Sequence, residues 1–196
     1  MQERSYRKLF WALVLVGLVF DQCSKYYVFS YWLYNQGQGA QFDVVPGYFE
    51  ITAQFHGPSG ESVPRVNQGA LFGFANSKGS LANAVFAVVS LIAAAAIIYW
   101  SSLRSTARDW SLCTALGLIL GGTLGNLYDR IMFSGVRDFI YWHYRDRFDW
   151  PVFNIADCCL VCGAILLLAQ AFWSRPAPAT DEPADQAVTS QMAEAK

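Results

Sequence analysis

Two aspartates in this sequence lie beside asparagines at the ends of apolar segments, where polar side chains are unusual. Asn126 and Asp129 are near the end of one segment, and Asn154 and Asp157 are at the start of the next. Residues three or four apart share a face of a helix. An ionisable group at membrane depth costs about 2.5–3.5 kcal/mol on insertion scales, so each one needs a partner or a function.

The two aspartates should lie at the same end of a helical bundle. Consecutive spanning helices run in opposite directions, which brings the end of one beside the start of the next. Two carboxyls held close together share one proton, so that one activates a water while the other donates to a substrate carbonyl. This pattern predicts an aspartic protease with Asp129 and Asp157 as its catalytic residues. Asn126 and Asn154 would bind substrate or orient the carboxyls.

Each charged residue also has a simpler interpretation. Asp129 and Arg130 could form an interfacial ion pair, and Asp157 could be a first-turn carboxylate that the helix dipole favours. Asp21 and Lys25, four apart with the acid first, are interpreted as a structural ion pair. The catalytic interpretation is preferred because both aspartates come with an asparagine at helical spacing.

The composition indicates a membrane protein. Of 196 residues, 54% are hydrophobic and only 15% are charged, and the formal net charge is −1. This charge balance excludes a broad basic surface for nucleic acid. A spanning helix needs roughly 20 mostly apolar residues, and the segments that meet or approach this length are 9–27, 81–100, 110–132 and 153–173. The predicted fold class is therefore an all-α polytopic membrane protein with four transmembrane helices.

Basic residues predict the orientation of these helices. They precede the first segment, separate the second from the third and follow the fourth: Arg4, Arg7, Lys8, Arg104, Arg108 and Arg175. The positive-inside rule then places both termini in the cytoplasm. Segments 28–80 and 133–152 would face the outside, with a small β element where residues 48–55 are rich in aromatic and β-branched types. Residues 1–173 form the predicted membrane domain, and residues 174–196 a disordered cytoplasmic tail.

Four blocks of the sequence, in this order, resemble the bacterial lipoprotein signal peptidase (type II signal peptidase) family. The blocks are Asp21-Gln22-Cys23-Ser24-Lys25, then Asn67-Gln68-Gly69-Ala70-Leu71-Phe72-Gly73, then 121–130 with Gly135-Val136-Arg137-Asp138-Phe139, and finally Phe153-Asn154-Ile155-Ala156-Asp157. Any one block would be weak, but four in order, each at its expected place relative to a helix, are hard to obtain by chance.

The resemblance implies a multi-pass aspartic endopeptidase of the bacterial inner membrane, with its site near the outer face. Its substrates would be diacylglyceryl-modified prolipoproteins, cut on the N-terminal side of the lipid-modified Cys. Asp129 and Asp157 would be the catalytic pair. The residues implied to bind substrate are Asn67, Asn126, Arg130 and Asn154, and those implied to support the site are Asp21, Lys25, Gly122 and Asp138. No metal or organic cofactor is implied, and we expect a monomer.

Some features leave substrate choice and function open. Segments 56–64 and 144–149 are longer than the family pattern, and Cys158 stands where the family commonly has Ser. A proton-conducting transporter with a relay of buried aspartates, or an inactive scaffold of the same fold, are the alternatives. The second apolar segment carries no Asp, Glu, Lys, Arg or His, and the charges gather at one end of the bundle, which favours an enzyme over a transporter.

Overall fold

The computed structural model describes residues 5–34, 40–56, 63–69, 79–144 and 147–173. The helices in these ranges are α1 (Arg7–Tyr26), α2 (Gly79–Ser102), α3 (Arg104–Ala107), α4 (Trp110–Phe133) and α5 (Ile155–Trp173), and α1 continues as a π-helical turn, Tyr27–Trp32. The strands are β1 (Ala40–Val45), β2 (Phe49–Ala53), β3 (Phe55–His56), β4 (Val63–Pro64), β5 (Ile140–Tyr144) and β6 (Phe148–Asp149). The predicted tail, residues 70–73 of the second block, and parts of segments 56–64 and 144–149 lie outside the described residues.

Four of the described helices are long and apolar enough to cross a membrane, which confirms the predicted fold class. Their bounds differ from the predicted segments by a few residues at most. The start of α5 moves from Phe153 to Ile155 because Asn154 is the residue that caps it. The short helix α3, between the second and third spans, was not predicted.

Helix α4 is the centre of the bundle. In its most apolar window 61% of the residues are buried, against 28% in α1 and 11% in α2 and α5. Glycines on α4 allow its neighbours to approach closely: a Cβ added to Gly121 would lie 3.1 Å from the Val14 carbonyl oxygen of α1, and one on Gly122 would overlap the Ala156 carbonyl oxygen of α5. Small residues at helix contacts are typical of membrane bundles. This close packing places α1 and α5 beside the polar end of α4.

An antiparallel sheet covers that end of the bundle. Its strand order is β1-β2-β5-β6, and β3 and β4 pair separately. The predicted β element is therefore present, but strands from segment 133–152 complete it, which the sequence did not predict. The sheet packs on the π-helical turn through a buried cluster that includes Val28, Phe29, Ala53, Phe55 and Ile140.

The segment between α4 and β5 is irregular and held by single hydrogen-bonded bridges. Ser134 ends α4 in the left-handed conformation, with φ 57°. Val136 pairs with Asn67 through two backbone hydrogen bonds of 2.7 and 2.9 Å, and the Phe139 N–H donates to the Phe153 carbonyl at 3.0 Å. Asp138 therefore lies between two fixed points, next to the start of α5.

Candidate active site

Asp129 is fully buried, and cations surround its carboxylate. Oδ2 accepts from the backbone N–H of Arg137 at 2.9 Å and from its Nε at 3.2 Å, while Oδ1 accepts from its Nη2 at 2.8 Å. Lys25 Nζ lies 3.4 Å from Oδ2, and Gln22 Nε2 donates to Oδ1 at 3.2 Å. Bidentate and charge-assisted bonds of this kind hold a carboxylate firmly in its ionised form.

Asp21 and Lys25 form the predicted ion pair, with Nζ 2.8 Å from Oδ2 and both side chains fully buried. The pair also joins helices. Asp21 Oδ1 accepts from the Ala156 N–H at 2.9 Å, which satisfies one of the free amides in the first turn of α5. Lys25 Nζ donates to Asn126 Oδ1 on α4 at 3.1 Å. A Cβ on Gly125 would overlap the Asp21 carboxylate, so glycine is required there.

Asp157 is fixed by a reciprocal cap at the start of α5. The Asp157 N–H donates to Asn154 Oδ1, and the Asn154 N–H donates to Asp157 Oδ2, both at 3.1 Å. This is the geometry of a capping box, with Asn and Asp in the usual positions of Ser and Glu. The second oxygen, Oδ1, accepts from Asn126 Nδ2 at 2.8 Å. Unlike Asp129, Asp157 is partly accessible.

Asp138 accepts hydrogen bonds from two amide side chains. Its Oδ1 accepts from Asn154 Nδ2 at 2.6 Å, and its Oδ2 accepts from Asn67 Nδ2 at 3.0 Å. The Asn67 amide is oriented in turn because its Oδ1 accepts from the Gly69 N–H at 2.9 Å. Burial has the largest effect on Asp138 and raises its pKa from the ordinary 3.8 to about 6. The negative charge of Asp157 also raises this pKa, whereas the hydrogen bonds from the two amides lower it.

One residue therefore contacts two carboxyls. Asn154 holds Asp157 through its backbone N–H and its Oδ1, and it holds Asp138 through its Nδ2. The structure brings together five of the predicted residues in this way, namely Asn67, Asn126, Asp138, Asn154 and Asp157. Asp129 and Asp157, which the sequence predicted to be a pair, do not contact each other directly. The oxygens of Asp129 are bound instead by Arg137, Lys25 and Gln22.

Arg130 adds a guanidinium with two donor atoms that are unpaired within the described ranges. Its Nε and Nη1 are buried and have no hydrogen-bond partner among the described residues. Its charge interacts with those of Asp138 and Asp157. Helix α2 fixes its position, since Cζ lies 5.2 Å from the centroid of the Phe86 ring and Asn83 Nδ2 donates to the Arg130 carbonyl at 3.1 Å. Buried donors without a partner are costly, so a ligand carbonyl would be bound favourably here.

Comparison with known proteins identifies the family. The family model of signal peptidase (SPase) II matches residues 13–173. The chain belongs to the signal peptidase II family. The lipoprotein signal peptidase of Rhodopirellula baltica is 41% identical over 181 residues, a match that covers 87% of this chain and 74% of that protein. The one from Pseudomonas syringae pv. tomato is 36% identical over 167 residues, covering 84% and 86%.

Solved structures agree with this assignment. A bacterial membrane enzyme determined at 2.3 Å resolution superposes with a TM-score of 0.67 at 25% identity, covering 92% of this chain and 99% of that one. A second, determined at 1.9 Å, gives a TM-score of 0.69 at 24% identity and supports the fold alone. The protein is thus a peptidase of the signal peptidase II family, and four of its described helices are long and apolar enough to cross a membrane.

Two residues of this signal peptidase II site were missed from sequence. Gln22 and Arg137 both bind Asp129, and each also bonds the other, with Arg137 Nη2 2.8 Å from Asp129 and 3.0 Å from Gln22 Oε1. The available signal was their position, since Gln22 follows Asp21 directly and Arg137 precedes Asp138 directly. Neither lies at helical spacing from the predicted pair, which is why the search by periodicity passed over them.

Proposed function

We propose that Asp138 and Asp157 are the catalytic pair of an aspartic endopeptidase, in place of the Asp129–Asp157 pair expected from sequence. The observation that carries this proposal is the shared contact with Asn154, which holds both carboxyls at once. Asp129 becomes a structural carboxylate in this proposal. Its three bonds from Arg137 and its contact with Lys25 leave it poorly suited to exchange protons during turnover.

The raised pKa of Asp138 supports this choice of catalytic residues. A raised pKa of about 6 means that Asp138 keeps a proton at moderately acidic pH and at a useful fraction near neutrality. Groups that work as acid or base are most efficient when their pKa lies near the working pH. Asp138 would therefore hold the shared proton, and Asp157 would start as the base.

The reaction follows from these roles. Asp157 takes a proton from water as the water oxygen bonds to the scissile carbonyl carbon, and Asp138 gives its proton to the carbonyl oxygen. In the resulting gem-diol, Asp157 gives its proton to the amide nitrogen and the C–N bond breaks, while Asp138 takes a proton from one hydroxyl as the carboxyl forms. The products are a carboxyl on the signal peptide and a free amine on the mature chain, and the pair again shares one proton. Water is the only co-reactant.

The substrate is proposed to be a diacylglyceryl-modified prolipoprotein, cut on the N-terminal side of the modified Cys. Family membership supports this specificity. Exposed apolar side chains on the helices, such as Val16 at 63% and Ile92 at 65%, provide a surface suited to lipid. Arg130 Nε and Nη1, together with Asn67 and Asn126, would bind the peptide near the carboxyls.

The site is proposed to lie near the outer face, with both termini in the cytoplasm. Four exposed basic residues support this orientation, because they lie at the opposite end of the bundle from the carboxyls: Arg7, Lys8, Arg104 and Arg108. Arg7 Nη2 bonds the Ser102 carbonyl at 2.7 Å, which places the start of α1 beside the end of α2. An alkaline phosphatase fusion at the C-terminus should be inactive, since that enzyme needs an oxidising compartment for its disulfides.

The activity can be tested by a gel-shift assay in detergent with chelator present. The purified protein is incubated with a diacylglyceryl-modified prolipoprotein and, separately, with its unmodified precursor. We expect cleavage of the modified form alone, with a new N-terminus at the lipid-bearing Cys by mass spectrometry. Equal cleavage of both forms would contradict the proposed specificity. Absence of cleavage by folded protein would favour the scaffold or the transporter.

A further inference from the structure

Arg137 is almost wholly buried, at 1% exposure, yet it carries a charge, which is paired with that of Asp129. Its guanidinium clamps Asp129 through two bonds, and its own backbone N–H makes a third to the same carboxylate. The next residue in the chain is Asp138. A single residue therefore connects the buried carboxylate of α4 with the carboxyl that we propose to be catalytic.

The guanidinium is held on its faces as well as at its edge. Cζ lies 4.0 Å from the centroid of the Phe133 ring and 4.5 Å from that of Tyr26, distances typical of cation–π contacts. Nη2 also donates to Gln22 Oε1 at 3.0 Å. Arginine suits this site because its planar fork binds a carboxylate through two atoms and stacks on aromatic rings, which lysine cannot do.

The backbone around Asp138 has no helix or strand to fix it. Residues 137–139 are irregular, so their position depends on individual bonds. Val136 is tied to Asn67 and Phe139 to Phe153, and between these points the Arg137 N–H is tied to Asp129. The Arg137 side chain adds two further bonds to the same carboxylate, so its loss would leave the N–H of residue 137 as the remaining bond from this residue to Asp129 and would loosen the position of Asp138.

Arg137 also completes the charge balance of the site. The described cluster has three cations and four carboxyls: Lys25, Arg130 and Arg137 with Asp21, Asp129, Asp138 and Asp157. One proton shared by the catalytic pair makes this set electrically neutral. Removal of one buried cation would leave an uncompensated negative charge, which favours further protonation of the remaining carboxyls.

We propose that Arg137 is a positioning residue for peptide hydrolysis, which fastens Asp138 to the buried Asp129 and supplies a positive charge beside the catalytic pair. This inference rests on the proposed function, because it takes Asp138 to be the residue that touches substrate. It assigns to Arg137 an effect on turnover and on the protonation of the pair, beyond its effect on folding.

The test compares Arg137→Met, Arg137→Lys and a matched control, Arg104→Met, in the full-length protein. Arg104 is exposed on α3, at the other end of the bundle. kcat, KM and the pH–rate profile are measured with the lipidated precursor, and the thermal unfolding midpoint is measured in detergent. Arg137→Met should lower kcat by about 10- to 100-fold, because a displacement of about 1 Å at a reacting group has that effect. KM should stay within about twofold.

The pH profile separates positioning from mere stability. Lys25 interacts electrostatically with Asp138, and Arg130 interacts with both carboxyls of the pair. The remaining charged groups of the cluster are Asp21, which is paired with Lys25, and Asp129, which is paired with Arg137. Because a nearby cation favours the ionised carboxyl, Arg137→Met should move the acidic limb of the profile to higher pH. Arg137→Lys keeps the charge without the bidentate geometry, so it should restore the acidic limb but only part of kcat. Arg104→Met should resemble the unmodified protein in all of these measurements.

The double variant Asp129→Asn with Arg137→Met tests whether Arg137 acts through Asp129. If it does, the double variant should lose no more kcat than Arg137→Met alone, since the effects of coupled residues are not additive. The inference is overturned if folded Arg137→Met keeps the original kcat and pH profile. Should Arg137→Met fail to fold, unchanged kcat in Arg137→Lys overturns it and reduced kcat supports it. Asp138→Asn, measured in parallel, tests the proposed function separately, because activity in that variant would remove Asp138 from the catalytic pair.

Discussion

Asp129 and Asp138 lie in the same sequence block and at the same end of the bundle, yet their surroundings differ in kind. Asp129 is fully buried and is bound by an arginine and a lysine. Asp138 is half-buried and bound by two neutral amides. Cations hold a carboxylate in its ionised form, whereas at Asp138 the effect of burial outweighs that of the amide donors and raises the pKa to about 6. Within one motif, the surroundings of each carboxyl thus distinguish a structural aspartate from one suited to catalysis.

The sharpest test of this comparison replaces each proposed catalytic carboxyl with its isosteric amide. Asp138→Asn and Asp157→Asn should each reduce kcat by about 10²–10⁴-fold, the usual contribution of a positioned acid or base. Both proteins should still bind the lipidated precursor. Single-turnover cleavage measures the loss, and Asp43→Asn on the exposed strand β1 is the matched control. Near-full activity in either variant would remove that residue from the pair.

The second test makes the same substitution at Asp129, the residue that the sequence favoured. Asp129→Asn leaves Arg137 and Lys25 short of a buried anion, and the loss of one partner from a buried pair costs about 3–5 kcal/mol. We therefore expect a large fall in the thermal unfolding midpoint, with measurable turnover in the fraction that stays folded. Complete inactivity in protein with an unchanged midpoint and intact substrate binding would restore Asp129 to the catalytic pair.

Periodicity and hydropathy were sufficient to predict the bundle. The four spans follow from the length and apolar content of their segments, and Asp157 and Asn154 stand out because amide and acid recur at helical spacing. The Asp21–Lys25 ion pair was predictable for the same reason, since both residues lie on one turn of one helix.

The difference between Asp129 and Asp138 could not be predicted in this way. Asp138 lies in an irregular segment, and its contacts with Asn67 and Asn154 depend on long-range bridges that no local period encodes. Asp129 has the helical spacing expected of a site residue, but its function depends on which cation reaches it. The sequence suggested that Asp129 pairs with Arg130, its neighbour in the chain. In the structure Asp129 pairs with Arg137, which lies beyond the end of α4.

A smaller effect is expected where helices, not side chains, position the pair. A methyl group at Gly122 would overlap the Ala156 carbonyl oxygen and push the start of α5, with Asp157, away from α4. Overpacking of this kind costs about 1–3 kcal/mol, so Gly122→Ala should lower both the unfolding midpoint and kcat. Gly17→Ala is the control, because its added Cβ would lie 3.5 Å from Gly121, an ordinary contact. Equal behaviour of the two variants would mean that the α4–α5 contact adapts freely.

The smallest expected effect concerns stability, and it distinguishes the two aspartates by sign. The pKa of Asp138 is raised to about 6 from 3.8, mainly by burial. A carboxyl with a raised pKa stabilises the fold at low pH, and this contribution is lost as pH rises through the folded value. Above about pH 6, folding must therefore keep a charge in an unfavourable place, and Asp138→Asn relieves this cost.

Asp138→Asn should consequently raise the unfolding midpoint relative to the unmodified protein at pH 8. The corresponding gain in the free energy of unfolding is about 1 kcal/mol after allowance for partial exposure, and it should be much smaller at pH 4. Asp129→Asn should lower the midpoint at pH 8, because it removes a paired charge. Thermal scans in detergent at the two pH values measure both. If Asp129→Asn raised the unfolding midpoint and Asp138→Asn lowered it, the comparison would be reversed. Asp129 would then be the functional carboxyl, held as a charge in an unfavourable place.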